Sequence, residues 1–390
     1  MKFSEIIGHE EIKQRMIRSV KEGRIAHAQL LYGAEGVQKL PLALAYSQYI
    51  SCENRGENDS CGTCRSCVKY QKINHPDLHF TFPIIKPKNW NAQTPIHSDH
   101  FLAQFREMLL AKGDFTADEW FARIADDAKT GWIFKTQGDE IIRKLSMKTF
   151  ESTYKIMIIW LPERFYRDGR TPNAILKILE EPYDNTVFLL VSNDTENLME
   201  TVLSRTQQIF VPKLSENEIA QALNNKYSSQ FSEQQISDFA HIADGNLFTA
   251  YSLADEGDDL QENFERFVFV MRKAWMVGNK GNYKALGELR QWADKMASAE
   301  VGRERQKAFL RYAQRLVREN FIKNFGLPEL NYLTENEEQF SNNFSRFINE
   351  RNIEDIVAEL ALAEQHTEQN VNAKMIFFDL ALKIIVLLKR

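Results

Sequence analysis

The stretch that decides the fold is Leu30-Leu31-Tyr32-Gly33-Ala34-Glu35-Gly36-Val37-Gln38-Lys39-Leu40. It reads as an apolar strand followed by a loop that approximates the phosphate-binding pattern Gly-x4-Gly-Lys-Ser/Thr. Gly33 and Lys39 fit that pattern, but Gln38 stands where the second glycine is expected. Leu40 stands where a hydroxyl would hold Mg²⁺, and its side chain cannot coordinate a hard cation. The stretch predicts a nucleotide-binding fold whose loop is degenerate.

The second magnesium ligand is missing as well. In nucleotide hydrolases with this loop, an acid at the end of a buried strand completes the metal site. The apolar run Lys155 to Ile159 is the candidate strand, and the residue after it is Trp160. Glu163 is an acid nearby, but it lies beyond the expected position. We therefore expect no productive ATP or Mg²⁺ site, although Lys39 leaves weak, Mg²⁺-independent nucleotide binding open.

Composition is typical of globular proteins and argues against strong autonomous binding to nucleic acid. The 390 residues, of which 43% are hydrophobic and 26% charged, predict two or three domains. The net charge of −5 is unlike the basic surface that nucleic-acid binding usually needs. The first residues do not resemble a signal peptide. The apolar run 375–388 is interrupted by Asp379 and Lys383 and indicates a buried helix, so we expect a cytoplasmic protein.

All four cysteines of the chain fall within sixteen residues, at Cys52, Cys61, Cys64 and Cys67. In a cytosolic protein such clustering favours a metal site over disulfides. Four thiolates suit a closed, structural Zn²⁺ site. An iron–sulfur cluster is less consistent with the spacing, because Gln71 stands where a fourth nearby cysteine would be expected. Four unligated thiols remain the alternative.

Strands alternate with helices up to about residue 212, which predicts an α/β domain with a parallel sheet. From Leu214 onward the strand signal disappears and helical patterns continue to the end. An irregular segment, about 86–135, interrupts the α/β part and contains two helical patterns, 101–110 and 118–128. Its tryptophans, which could form a partner or nucleic-acid surface or fill a small core of their own, are Trp90, Trp120 and Trp132.

The order of these segments resembles the clamp-loader branch of the AAA+ proteins, and within it the delta-prime family of bacterial DNA polymerase III subunits. The match covers most of residues 1–255, and the run Asn173 to Pro182 is its most specific part. Beyond residue 255 it rests on helical character and on Asn372-Ala373-Lys374. The other segments that carry it are the degenerate loop, the four cysteines, Ile7-Gly8-His9, Ala26-His27-Ala28, His75-Pro76-Asp77 and Ser204-Arg205-Thr206.

The resemblance implies three domains. Residues 1–212 would form a P-loop-type AAA+ core, a parallel sheet flanked by helices, with a small zinc module at 52–67 and the insertion at about 86–135. Residues 213–255 would form a helical lid, and 256–390 an all-α collar for oligomerisation. The insertion is longer than the family pattern needs, and no function is assigned to it.

The resemblance also implies a role in DNA replication. Delta-prime subunits are non-hydrolysing stators of a hetero-oligomeric ring that contains gamma/tau and delta subunits and loads a sliding clamp on primed DNA. Arg205, flanked by Ser204 and Thr206, would be an arginine finger that enters a neighbouring subunit's ATP site. Thr206 replaces the cysteine that is usual in the family, and a small side chain is kept.

Two other functions compete with this interpretation. The chain could be an active clamp-loader ATPase of the gamma/tau type, which Gln38, Leu40 and Trp160 oppose. It could instead be a zinc-containing nucleic-acid or adaptor module, which the acidic balance opposes.

Overall fold

The computed structural model describes residues 1–87, 90–91, 94–125, 130–166, 171–227, 230–255, 257–327, 330–369 and 371–390. These residues form two compact units. The first comprises Met1–Lys226 and Ala243–Thr249, and the second comprises Tyr227–Ile242 and Ala250–Arg390. The three-domain boundaries expected from the sequence stay a prediction.

A five-stranded sheet lies at the centre of the first unit. Neighbouring strands all pair in parallel, in the order β2-β3-β4-β1-β5, as the alternation of strands and helices predicts. The central strands β3 and β4 are buried along their whole length, which explains their continuous apolar sequences. The strands are β1 Ala28–Tyr32, β2 Leu78–Thr81, β3 Lys155–Trp160, β4 Thr186–Ser192 and β5 Gln207–Phe210.

The strand order places the loop of residues 33–38 in a crevice at the carboxyl edge of the sheet. β1 lies between β4 and β5, with Leu31 opposite Val191 on one side and Ile209 on the other. The chain leaves β1 for the far edge at β2 and returns through β3 and β4. In open parallel sheets, ligand sites form outside the carboxyl ends of strands at such a reversal of direction.

The helices up to β5 follow the sequence patterns with shifted ends. The first helix begins at Glu10, because Gly8 and His9 both adopt left-handed backbone angles, with φ of 63° and 60°. The helices are α1 Glu10–Lys21, α2 Lys39–Ser51, α3 Arg65–Gln71, α4 Leu102–Lys112, α5 Ala117–Ile124, α6 Lys135–Leu145, α7 Thr171–Glu180 and α8 Glu200–Leu203.

The insertion contains α4 and α5 and is joined to the sheet at its base. Ile84 and Trp132 exchange two backbone hydrogen bonds of 3.0 Å, which bring the two ends of the insertion together. Trp120 is fully buried and donates its indole N–H to the Pro83 carbonyl at 2.8 Å. Trp120 therefore fills a core, whereas Trp90 and Trp132 are half-buried. Part of the second predicted helix, residues 126–128, lies outside the described residues.

The described chain after β5 is helical, as its patterns predict. The second unit has its own core, to which the long helices at the C-terminal end contribute. In the described residues, no helix combines the length and apolarity that a membrane span requires. The helices are α9 Glu216–Tyr227, α10 Glu233–Ile242, α11 Leu247–Asp255, α12 Gly257–Lys280, α13 Tyr283–Met296, α14 Gly302–Lys323, α15 Glu335–Phe344, α16 Ile353–Glu368 and α17 Ala373–Leu387.

Candidate functional site

The loop between β1 and α2 keeps a tightly folded backbone despite its altered sequence. A Cβ atom at Gly33 would lie 2.2 Å from the carbonyl oxygen of Val211, so only glycine fits there. Gln38 adopts a left-handed conformation, with φ of 60°, which costs a residue other than glycine about 1–2 kcal/mol. Its Oε1 accepts the backbone N–H of Ile7 at 2.8 Å, and this hydrogen bond offsets part of the cost.

The lysine of the loop is turned onto the loop itself. The Nζ of Lys39 donates to the carbonyl oxygen of Gly33 at 3.0 Å and also to that of Ala34. Only 4% of the residue is exposed, and burial lowers the pKa of its ammonium group to about 8, against the opposing effect of nearby carboxylates. The ammonium group therefore takes carbonyl partners within its own chain where a working loop would offer it to phosphate.

The structure places no oxygen ligand at either expected magnesium position. The side chains of Leu40 and Trp160 are both buried and apolar. Glu163, the nearby acid, accepts the hydroxyl of Ser192 at 2.8 Å and the backbone N–H of Asn193 at 3.0 Å. Burial raises the pKa of the Glu163 carboxyl. Glu163 therefore links the ends of β3 and β4, and Trp160 is the last residue of β3 rather than the residue after it.

A turn of the insertion fills the space in front of the loop. We call residues 113–116, between α4 and α5, the tip turn. Gly113 has a φ of 77° and ends α4, and Thr116 caps α5 by accepting the N–H of Glu119 at 3.2 Å. Phe115 is 2% exposed, and its ring packs edge-on against Trp160 with centroids 5.2 Å apart.

The tip turn also brings a carboxylate to the buried lysine. Asp114 faces Lys39, Glu35 and Glu119, and burial raises the pKa of Asp114 to about 7. Glu35, from the loop, lines a pocket together with Ala117 at the start of α5. Burial raises the pKa of the Glu35 carboxyl, and the Ala117 N–H acts in the opposite direction. Acidic groups are favoured at a helix N-terminus, so this arrangement brings the loop and the insertion together.

The cavity next to Lys39 has a volume of about 10 Å³. That is about the smallest volume that holds one water molecule, whereas sites for small ligands span roughly 300–1,000 Å³. A more open pocket of about 540 Å³ adjoins it on the side of Glu35, Glu163 and Asn193. The loop, the ends of β3 and β4, and the tip turn thus leave little room at the lysine itself. The cavity is lined by Glu35, Gly36, Lys39, Leu40, Asp114, Phe115, Trp160, Val191, Asn193 and Phe248.

The four cysteine sulfurs converge where α2 ends and α3 begins. They all lie within 4.8 Å of one another, with separations of 3.6 Å for Cys52–Cys61, 4.0 Å for Cys52–Cys64 and 3.9 Å for Cys61–Cys67. Sulfurs around a tetrahedral zinc ion lie roughly 3.8 Å apart, given bonds of about 2.3 Å. Backbone N–H groups point at three of the sulfurs, as expected around thiolates. The cluster could therefore hold a metal ion.

In a second group of possible metal ligands, the carboxylates are already paired with basic side chains. His97, Asp99 and Glu140 each offer an atom within 4.8 Å of the others. Asp99 pairs with Lys144 at 2.5 Å, and Glu140 pairs with Arg143 at 2.6 Å. We therefore do not treat this group as a metal site.

Arg205 follows α8 at the surface of the first unit. Its Nε donates to the Glu180 carboxylate at 2.7 Å, and its Nη1 donates to the Thr201 carbonyl at 2.9 Å. The Thr206 hydroxyl donates to the Val202 carbonyl at 3.0 Å and so caps the end of α8. This close contact explains why position 206 needs a small side chain. The Arg205 side chain remains 31% exposed, in an ion pair that can exchange for another anion at small cost.

Two other motifs from the sequence analysis, those around His27 and Asp77, make hydrogen bonds that join parts of the fold. His27 donates from Nε2 to the Leu179 carbonyl at 3.1 Å, which joins β1 to the end of α7. The buried carboxylate of Asp77 accepts the backbone N–H groups of residues 150–152 at 2.6–2.8 Å, just before β3. The sequence did not identify Glu35, Asp114 and Phe115 as residues of the site, because no local motif marks a residue whose contacts lie far away in the chain.

Comparison with known proteins identifies the family. The family model described as "DNA polymerase III, delta subunit" matches residues 8–215, more than half of the chain. The chain belongs to this family, and the clamp-loader resemblance of its motifs is confirmed. The parallel five-stranded sheet and helical C-terminal region fit the expected AAA+ fold.

Relatives of known name include two kinds of clamp-loader subunit. The delta' subunit of Bacillus subtilis is 24% identical over 198 residues, which are 51% of this chain and 46% of the relative. The tau/gamma subunit of Haemophilus influenzae is 23% identical over 257 residues, or 65% of this chain and 30% of the relative. The chain thus spans between about a third and a half of the length of these relatives.

Among solved structures, the gamma subunit-related protein of Thermotoga maritima aligns with a TM-score of 0.39 and 14% identity. The alignment covers 97% of this chain and 99% of that protein. At this TM-score, the likeness carries no argument about function.

We expect Asp114 to make the stability of the first unit pH-dependent. Because its pKa is raised in the folded protein, the folded state binds a proton that the unfolded state has lost, so stability falls as pH rises from about 4 to about 8. Asp114→Asn should remove on the order of 3 kcal/mol of that fall. Urea unfolding across this pH range measures the effect.

Asp118→Asn, at an exposed carboxylate of the same insertion, is the matched control and should follow the wild type. Equal pH profiles for wild type and Asp114→Asn would contradict the burial of Asp114.

Proposed function

We propose that the chain is a non-hydrolysing, delta-prime-type subunit of a bacterial clamp loader. It acts as a stator in a ring with gamma/tau and delta subunits, which load a sliding clamp on primed DNA. The family match and the delta' relatives support this assignment. The observation that carries it is the engaged lysine: Lys39 bonds to carbonyl groups of its own loop, and the cavity next to it measures about 10 Å³.

Arg205 is the residue through which this subunit acts on a neighbour. Its guanidinium group is partly exposed and is held in place by Glu180 and Thr201. In a neighbour's ATP site it would neutralise charge that develops on the γ-phosphoryl oxygens in the transition state. Ser204 and Thr206 position the arginine, since the Ser204 hydroxyl lies 3.2 Å from its Nη1 and Thr206 caps the preceding turn.

The four cysteines hold a structural zinc ion in this proposal. The sulfur separations match a tetrahedral thiolate site, and four protein ligands leave no open position for a substrate. Bound there, zinc would fasten the end of α2 to the start of α3.

The second candidate is an active ATPase subunit, which the similarity to tau/gamma proteins favours. It requires a nucleotide to bind at the loop with Mg²⁺, for which Leu40 and Trp160 supply no ligand. ATP hydrolysis by the isolated chain would distinguish it from the stator.

Arg205→Ala should abolish the stimulation that this chain gives to ATP hydrolysis by the partner subunits. We expect a loss of at least about tenfold, because arginine fingers contribute roughly 10³–10⁵ in rate. The measurement is ATP turnover by the reconstituted complex with clamp and primed DNA, after size-exclusion chromatography has shown that the variant assembles.

Arg143→Ala is the matched control, since Arg143 also forms a surface ion pair with a glutamate of its own unit. It should leave turnover unchanged. Full stimulation by an assembled Arg205→Ala complex would refute the finger and leave Arg205 a surface ion-pair partner.

Purified protein should contain about one zinc ion per chain, measured by mass spectrometry of the metal content. Cys61→Ser should lose it and lower the melting temperature, because metal binding stabilises the fold only when the ligand set is intact. Thr63→Ala, an exposed change beside the cluster, should keep the metal. A metal-free wild type purified without chelator would count against the site.

A further inference from the structure

The insertion is built to hold its tip turn against the phosphate-binding loop. Its base is closed by the Ile84–Trp132 bridge, and Trp120 is anchored there through its bond to the Pro83 carbonyl. Above the base, the ring of Phe105 stacks on Phe82, with centroids 4.1 Å apart. These contacts fix α4 and α5 on the body of the first unit.

The aromatic packing continues from the base to the carboxyl end of β3. Phe105 contacts Trp120 and Trp160, with ring centroids 5.3 Å and 5.7 Å away. Phe115 contacts the same two tryptophans, at 6.3 Å and 5.2 Å. Phe105, Phe115 and Trp120 are each at most 2% exposed. Trp160 thus occupies the position of a magnesium-binding acid and serves as the wall against which the insertion packs.

The tip turn also matches the loop electrostatically. Asp114 and Lys39 line the same small cavity, which lies where the lysine of a working loop would meet phosphate. The Glu35 carboxyl of the loop lies by the start of α5, where it lines a second pocket with Ala117. The insertion and the loop therefore bring polar groups of opposite character close to each other at two places.

We infer that residues 102–124 are an internal plug, which occupies the nucleotide site of this chain through Asp114 and Phe115. The plug assigns a function to the insertion and does not depend on what Arg205 does. It excludes nucleotide by filling the space, in addition to the missing metal ligands. Removing the side chains at the tip should therefore restore anion binding by Lys39 without restoring a use for Mg²⁺.

The test compares ADP binding by the full chain as wild type, as the double variant Asp114→Ala/Phe115→Ala, and as the same variant with Lys39→Ala. Isothermal titration calorimetry is performed with and without Mg²⁺. We expect the opened variant to bind ADP at least about tenfold more tightly than the wild type, which corresponds to about 1.4 kcal/mol. The affinity should not depend on Mg²⁺ and should return to the wild-type level when Lys39 is replaced.

Leu110→Ala, at an exposed residue of α4, is the matched control and should bind ADP as weakly as the wild type. Equal affinities for wild type and opened variant, with both folded by circular dichroism, would overturn the plug. ATP hydrolysis by the wild type would instead refute the non-hydrolysing function, so the two failures are distinguishable.

Hydrogen exchange on the wild type tests the plug if the double variant does not fold. Amides in α4 and α5 should exchange as slowly as those of β3, because the helices are packed on the core. Exchange of residues 102–124 at the rate of an exposed loop would overturn the inference.

Discussion

The first unit depends on how one buried ammonium group is satisfied. A lysine that is 4% exposed must find partners, because an unpaired charge away from water is very costly. Lys39 finds them in the carbonyl groups of Gly33 and Ala34, and the Asp114 carboxyl lines the same cavity. In a working phosphate-binding loop the lysine would meet the phosphates of the nucleotide. Here the protein's own oxygen atoms satisfy the ammonium group, which is why the lysine can be kept after the metal ligands are lost.

Trp160 connects the loss of a magnesium ligand with the packing of the insertion. An acid at the end of β3 would serve a magnesium ion, but it would be poorly accommodated against Phe105 and Phe115. A tryptophan at the same position cannot bind the metal, but its ring packs against Phe105 and Phe115 of the insertion. The altered strand end and the insertion are therefore parts of the same arrangement. Arg205, which lies after α8, is not part of the plug. The plug and the arginine finger therefore involve different residues.

Much of the α/β unit could be predicted from the sequence, because its strands are continuous apolar runs. The strand expected at 155–159 is observed at Lys155–Trp160. The start of α1 at Glu10 is harder to predict, because His9, although not glycine, takes a left-handed backbone angle. The end of β2 at Thr81 depends on a distant residue, since the Phe82 N–H bonds to the Ser98 hydroxyl and Pro83 has no N–H to offer.

The candidate site could be predicted only in part. The degenerate loop, the four cysteines and the Ser204-Arg205-Thr206 segment carry local patterns, so they could be found by spacing. The contact of Asp114 and Phe115 with the loop joins residues about eighty positions apart in the chain, and no local pattern encodes such a contact. The two helical patterns of the insertion were recognisable, but the surface on which they pack was not.

A crystal structure of the protein grown with saturating ADP tests the central claim most directly. Our account predicts that Phe115 remains against Trp160, that Lys39 remains bonded to the Gly33 and Ala34 carbonyls, and that no phosphate density appears at the loop. Phosphate density beside Lys39, with residues 102–124 displaced from the sheet, would contradict it.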